Sequence, residues 1–198
     1  MSTSGAGPGR PVDRRVRRTQ ATLQNALIEL VAEQDLTKIT VADVAERAEV
    51  SRSTFYDHYR DVHELAEAAC TAMIDDLIDS LPQTQYAAEE LERSATDGLR
   101  QFFASLAEHA NLYRSLLGPH GSARIIDHIR RRVTARLYAG EAEQAGQPES
   151  PLDVPTAFIA GALIGVAVDW LQHDRPHPPA DMAARTWPLF AALVAVLA

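Results

Sequence analysis

Apolar residues recur at spacings of three and four along nearly the whole chain, and nowhere do they alternate with polar ones long enough to make a strand. The first such stretch runs from about Arg14 to Gln34. Leu23, Ala26, Leu27, Leu30 and Val31 fall on one side of it, with Gln24, Asn25 and Glu29 on the other. Asp35 closes this helix at a position where a left-handed residue, best filled by glycine, is expected. Thr40-Val41-Ala42-Asp43 then has the form of a capping box and opens a short helix carrying Val41, Val44, Ala45 and Ala48. Glu49-Val50-Ser51 breaks it, and Ser51 is placed to cap a second short helix, Arg52 to Tyr59. Asp61-Val62-His63-Glu64 forms a second capping box, and the helix behind it, with Leu65, Ala69, Ala72, Met73 and Leu77 on one face, runs until Pro82.

The same period continues from Ala88 to Glu108, Asn111 to Leu117, Ser122 to Ala142, Val154 to Gln172 and Pro179 to Leu197. Gly118-Pro119, a Gly/Pro/Glu loop at 143–152 and the segment His173 to Pro178 separate these helices. Residues 1–12 offer little to bury and read as a disordered tail. The expected fold is therefore all-α, with about nine helices. The expected divisions are the tail, a small three-helix domain over 13–60, and a larger helical domain over 61–198.

Composition narrows the setting. At 198 residues, with 46% apolar and 23% charged, the chain is an ordinary globular one. Its one cysteine, Cys70, cannot pair within the chain, which fits a reducing compartment. The longest apolar run, Ala157 to Val168, is too short to span a bilayer, and the arginines near the N-terminus do not lead into a secretory signal. A cytoplasmic protein with no membrane partner is expected. The net charge of −8 is unevenly spread. Residues 1–60 carry nine Lys/Arg against eight Asp/Glu, whereas residues 61–198 carry ten against nineteen. Arg10, Arg14, Arg15, Arg17 and Arg18 are opposed locally only by Asp13, so an acidic body carries a front end suited to anions.

A short helix, a three-residue break and a second short helix make the helix-turn-helix spacing. Val44, Ala45, Val50 and Phe55 can form the shared core that fixes the pair, leaving Arg52, Ser53, Tyr56 and Asp57 to face outward, with His58 and Tyr59 at the end. Two exposed tyrosines suit phosphate oxygens, and Arg52 suits a guanine edge. Amide groups at the helix starts, Thr40 and Ser51, are further anion sites.

From Arg14 to about Leu65 the chain resembles the N-terminal DNA-binding domain of TetR-family transcriptional regulators. The resemblance is carried by Ile39-Thr40-Val41-Ala42-Asp43-Val44-Ala45, by Ala48-Glu49-Val50-Ser51-Arg52-Ser53-Thr54-Phe55-Tyr56, and by His58-Tyr59 followed by Leu65. It implies that Arg52, Ser53, Tyr56 and Asp57 face bases, while Thr40, Thr54, Tyr56, His58 and Tyr59 hold backbone phosphates. It also implies a C-terminal helical domain for dimerisation and ligand binding, and a homodimer. Three positions depart from the family pattern. Asp35 and Glu49 stand where glycine is usual, and Val62 replaces a phosphate-binding lysine whose contact Arg60 or His63 can take over.

In the C-terminal half, Ala157, Gly161 and Gly165 recur every four residues on an apolar helix, a pattern that permits close backbone approach. With Phe190 and Val194 of the last helix they are the expected dimer contacts. Phe102, Phe103, Leu106, Tyr113, Leu116, Ile125, Ile129 and Trp170 are the candidate ligand-pocket residues, each of which also suits an ordinary core.

Enzymatic function finds no support. Cys70 reads as a buried structural thiol rather than a nucleophile, His173, Asp174 and His177 sit in a proline-rich loop, and no HExxH, P-loop, GxGxxG or GxSxG pattern occurs. No metal or cofactor is expected. The sequence reads as a DNA-binding regulator, a repressor released from a palindromic operator by a small-molecule effector. The alternative is a helical interaction module of the same fold that has lost specific DNA binding.

Overall fold

Burial follows the predicted stripes. A computed structural model describes residues 11–80, 88–118, 121–145, 154–175 and 177–197, with side chains excluded at 11–13, 88–91, 136–145, 155–156 and 193–197. These described residues form nine α-helices and one 3-10 turn, in accord with the all-α expectation. They are α1 (Pro11–Glu33), the 3-10 turn Leu36–Lys38, α2 (Val41–Arg47), α3 (Arg52–Tyr56) and α4 (Val62–Ser80). Next come α5 (Ala88–Glu108), α6 (Ala110–Leu117), α7 (Ala123–Ala145), α8 (Val154–Gln172) and α9 (Pro179–Leu197). The chain divides after Ala69 into two compact units, and α4 runs from the first into the second.

In the first unit, Leu23, Leu27, Val44, Phe55 and Leu65 are completely buried. Each such side chain withdraws enough apolar surface from water to contribute about 1.5–3 kcal/mol. Arg47 reaches from α2 to Glu29 at 3.3 Å and Glu33 at 3.0 Å, tying α2 to α1. Two boundaries differ from expectation. α1 begins at Pro11 rather than near Arg14, as proline is suited to the first turn, where its missing amide costs nothing. The expected tail at 1–12 otherwise lies outside the described residues. Asp35 is extended (φ −63°, ψ 140°) instead of left-handed, because the chain enters a 3-10 turn there and needs no glycine.

The second unit packs α5 along α9 and α7 along α8, with α6 against α7 and α8. At its centre Phe103 meets Trp170 edge-on at 5.3 Å, and Trp170 Nε1 donates to the His177 carbonyl at 2.9 Å. After α8, Asp174 (φ 56°) and Arg175 (φ 55°) are both left-handed. Arg114 holds this corner, pairing with Asp174 at 3.0 Å and donating to the Leu171 carbonyl at 3.0 Å, while Arg175 donates to the Ala107 carbonyl. At the turn between α6 and α7 a Cβ on Gly121 would lie 2.0 Å from the Leu116 carbonyl oxygen, so only glycine fits. Among the described residues no helix is long and apolar enough to cross a membrane.

Candidate nucleic-acid interface and effector cavity

The helix-turn-helix is built from two caps and one turn. At the start of α2, Asp43 N–H donates to Thr40 Oγ1 at 3.2 Å and Thr40 N–H donates to Asp43 Oδ2 at 2.8 Å, the reciprocal box expected from the sequence. These amide and hydroxyl donors hold the Asp43 carboxyl below its ordinary range. α2 ends with Glu49 N–H donating to the Glu46 carbonyl and Val50 N–H to the Ala45 carbonyl, a Schellman pair that forces Glu49 to φ 53°. Ser51 then accepts the Thr54 amide at 3.0 Å and shares its hydroxyl with Ser53 and Thr54 at 2.7 and 2.8 Å.

α3 is shorter than the expected Arg52–Tyr59. It stops at Tyr56, after which Asp57 and His58 form a turn and Tyr59 N–H donates to the Phe55 carbonyl. Phe55 is the buried anchor. Around it Arg52, Ser53, Tyr56 and Asp57 project outward, and Tyr56 is 60% exposed. The Tyr56 ring meets Phe55 edge-on at 5.6 Å but leaves most of its own surface in water. Ser51 and Arg60 are also exposed, and Thr54 and His58 are half-buried.

Tyr59 corrects the expectation of two exposed tyrosines. Its ring is only 6% exposed and packs near Phe55 at 6.1 Å, and its hydroxyl accepts from Gln24 Nε2 at 3.1 Å. Burial raises its phenol above the ordinary value. Thr40 is exposed, but its hydroxyl and amide are already engaged with Asp43.

At the start of α4, Asp61 Oδ1 accepts the Glu64 amide at 2.8 Å, whereas Glu64 Oε2 accepts from the amide of Arg60 rather than that of Asp61. The second capping box is therefore stretched by one residue. Arg60 Nε sits 3.0 Å from Asp61 Oδ2 and His63 lies 3.6 Å from Glu67, so both replacements for the missing lysine carry an acidic neighbour. Arg14, Arg15, Arg17 and Arg18 are exposed on the first turns of α1.

In the second unit a narrow cavity of about 20 Å³ is lined by Ile74, Leu77 and Ile78 of α4, Phe102 and Leu106 of α5, Leu117 of α6, Ile129 of α7, and Ile164 and Ala167 of α8. Of the candidate pocket residues, Phe102, Leu106 and Ile129 reach it. Phe103, Tyr113, Leu116, Ile125 and Trp170 are instead buried core. Burial holds the Tyr113 phenol far above its ordinary range. The sequence does not point to the α4 wall: Leu77 reads there only as part of a core stripe, and Ile74 and Ile78 are not on the stripe that its period suggests. Leu77 also borders an open groove of about 470 Å³ between α4 and α5, with Met73, Asp76, Ser80, Ala104 and Glu108 around it.

Ala157, Gly161 and Gly165 all face outward on α8, and a Cβ on either glycine would meet nothing within 4 Å. Phe158 (63% exposed) and Leu189 (67%) project from the same two terminal helices. Phe190 is half-buried, and the side chain of Val194 lies outside the described residues. His173, Asp174 and His177 gather no metal site, and among the described residues no cluster of three metal-ligating side chains occurs.

Comparison with known proteins agrees with this geometry. The sequence model described as bacterial regulatory proteins, tetR family, matches residues 24–69, and one described as a transcriptional regulator C-terminal region matches residues 93–189. A curated relative, the uncharacterized HTH-type transcriptional regulator YxbF of Bacillus subtilis, is 25% identical over 177 residues. That match takes in 87% of this chain but 44% of the relative, so the chain spans less than half of that protein's length. Among solved structures, a tetR-family transcriptional regulator from Streptomyces coelicolor has a TM-score of 0.69 at 21% identity, covering 89% of this chain and 83% of its own. FadR from Bacillus subtilis, solved in complex with stearoyl-CoA, has a TM-score of 0.62 at 16% identity, covering 86% of this chain and 96% of its own. Helix-turn-helix geometry in the first unit, helical packing in the second, and models that match both halves lead to one assignment: the chain belongs to the TetR family of transcriptional regulators, a regulatory rather than a catalytic family.

Proposed function

We propose that this protein is a sequence-specific DNA-binding repressor that acts in the cytoplasm as a homodimer and leaves its operator when a small apolar molecule binds. Residues 13–60 are the DNA-binding domain and residues 61–198 the regulatory and dimerisation domain. The observation that carries the reading is Tyr56. It is exposed beside Arg52, Ser53 and Asp57 on a helix whose other face is anchored by buried Phe55. Arg52 suits a guanine edge, and Tyr56, Ser51, Thr54, His58 and the arginines at 14–18 suit the phosphate backbone. The buried Tyr59 ring retains one function at the surface, since its hydroxyl accepts from Gln24 and still has a proton to donate.

Outward-facing Gly161 and Gly165, with Phe158 exposed on the same helix and Leu189 exposed on α9, support a second copy packing on α8 and α9. Such a dimer presents its two α3 helices to successive major grooves about 34–36 Å apart, on a palindromic site. The effector belongs in the cavity. Its lining is wholly aliphatic and aromatic, so the ligand part that enters is apolar, and Leu77 stands between the cavity and the open groove. FadR, captured with an acyl-CoA, is a precedent for an apolar chain in this fold.

The test is binding to random genomic fragments across a salt series, with the bound fragments sequenced. Enrichment of a palindrome with a steep salt slope is expected. Tyr56→Ala should abolish that binding while leaving dimer and melting temperature unchanged, and unaltered binding by this variant would refute α3 as the reading helix.

A further inference from the structure

Two carboxylates on α4 meet a histidine and an arginine on α7, next in sequence to residues that line the cavity. Asp75 and Asp79 stand one turn apart on α4, and His128 and Arg132 stand one turn apart on α7. Asp75 Oδ1 lies 2.9 Å from His128 Nε2 and 2.6 Å from Arg132 Nε, while Arg132 Nη2 donates to Asp79 Oδ1 at 2.7 Å. His128 is 22% exposed at its side chain, Arg132 32% and Asp75 37%, so the inner members are partly withdrawn from solvent.

The placement of this cluster matters more than its strength. Half-exposed ion pairs add little net stability, which leaves stability a weak reason for four matched residues. Their neighbours in sequence are the cavity walls. Ile74, Leu77 and Ile78 alternate with Asp75 and Asp79 on α4, and Ile129 lies between His128 and Arg132 on α7. The cavity has space for roughly one water molecule, so a larger guest requires its walls to part. Helices are held at fixed spacing by packed cores that switch between arrangements rather than stretch. Parting α4 from α7 must therefore break the contacts of Asp75 and Asp79. α4 is also the helix that runs from the first compact unit into the second, so its displacement is the one covalently transmitted between them.

We propose that Asp75, Asp79, His128 and Arg132 form a latch that keeps the cavity closed and α4 in its DNA-binding position, and that filling the cavity opens it. These four are positioning residues, distinct from any that touch DNA or effector. The inference rests on the regulator reading above.

The experiment uses the full-length protein, the neutral apolar fluorophore N-phenyl-1-naphthylamine, and operator fragments recovered by the genomic selection. Asp75→Asn and Asp79→Asn each remove a latch charge, and Asp79 is exposed enough that its variant should fold even if Asp75→Asn does not. The expected result is fluorophore binding about five-fold tighter and operator binding about five-fold weaker, the lower range of allosteric coupling. Asp97→Asn, which removes an exposed pair with Arg100 on α5, should change neither. A structural role alone would lower melting temperature without opposing shifts in the two affinities. Unchanged fluorophore affinity in Asp75→Asn or Asp79→Asn overturns the latch. If the wild-type protein selects no DNA, the regulator reading fails, and the fluorophore measurement still decides the latch.

Discussion

Replacing Glu49 by glycine probes the turn that joins α2 to α3. The Schellman pair at the end of α2 demands a left-handed residue at position 49, and Glu49 adopts it with φ 53°. For an L-residue with a Cβ this conformation costs about 1–2 kcal/mol. A carboxylate just beyond the C-terminus of α2 also sits at the negative end of the helix dipole, worth about 0.3–1 kcal/mol in the unfavourable sense. Glycine relieves both terms. Against them stands the added freedom of the unfolded chain, about 0.4–1 kcal/mol. The Glu49 side chain is exposed, so little packing is lost. The sum favours Glu49→Gly by about 1 kcal/mol, or a factor near five in the folded-to-unfolded ratio.

The assay must see the first unit alone. Both tryptophans, Trp170 and Trp187, belong to the second, so their fluorescence is the wrong probe. Native-state amide hydrogen exchange of α2 and α3 isolates the correct one. Protection of the Val44, Ala45 and Phe55 amides should rise about five-fold in Glu49→Gly. Glu49→Ala, which removes the charge but keeps the Cβ, should capture only the smaller dipole share. Equal gains in the two variants would refute backbone strain as the cause, and a loss in Glu49→Gly would refute the whole accounting.

Three further outcomes are expected. Gly161→Leu with Gly165→Leu should break the dimer in analytical ultracentrifugation. Since each glycine faces open space, the isolated subunit should fold at least as well, each change favouring the helix by roughly 0.8–1 kcal/mol. An intact dimer would move that stripe out of the interface. Asp43 and Asp61 are both held below the ordinary carboxylate value of 3.8 by amide donors, so their contribution is present above that value and lost as pH falls through their lower folded values. Exchange protection of the first unit should therefore fall below about pH 4, with a flatter decline in Asp43→Asn/Asp61→Asn. Phe103→Ala removes a fully buried ring that packs edge-on against Trp170 and should cost about 3–5 kcal/mol in urea unfolding followed by tryptophan fluorescence.

The legible parts of this chain are those in which the cause is local. The capping box at Thr40 needs only four consecutive residues, and it forms as the spacing predicts. Glu49 is marked by the family resemblance, which has glycine there, and the turn does hold it in the left-handed conformation. Asp35 appeared to pose the same demand, yet the next residues entered a 3-10 turn and removed it. Tyr59 failed for a different reason. Three positions from Tyr56 on a short polar segment, it looks equally exposed, and only the return of α1, bringing Gln24 to its hydroxyl, turns its ring inward.

The cavity and the latch are illegible for that same non-local reason. Leu77 shows the period of any core stripe, and no spacing within α4 says whether it faces solid packing or a void. Asp75 and Asp79 match His128 and Arg132 at the same four-residue interval, but the match exists only after α7 is laid beside α4, across 53 positions of sequence. Local rules thus identify the face proposed to meet DNA, where the chain must satisfy its own amides and leave a face bare. The proposed regulation depends on which faces of distant helices are brought together, and on how firmly they are held.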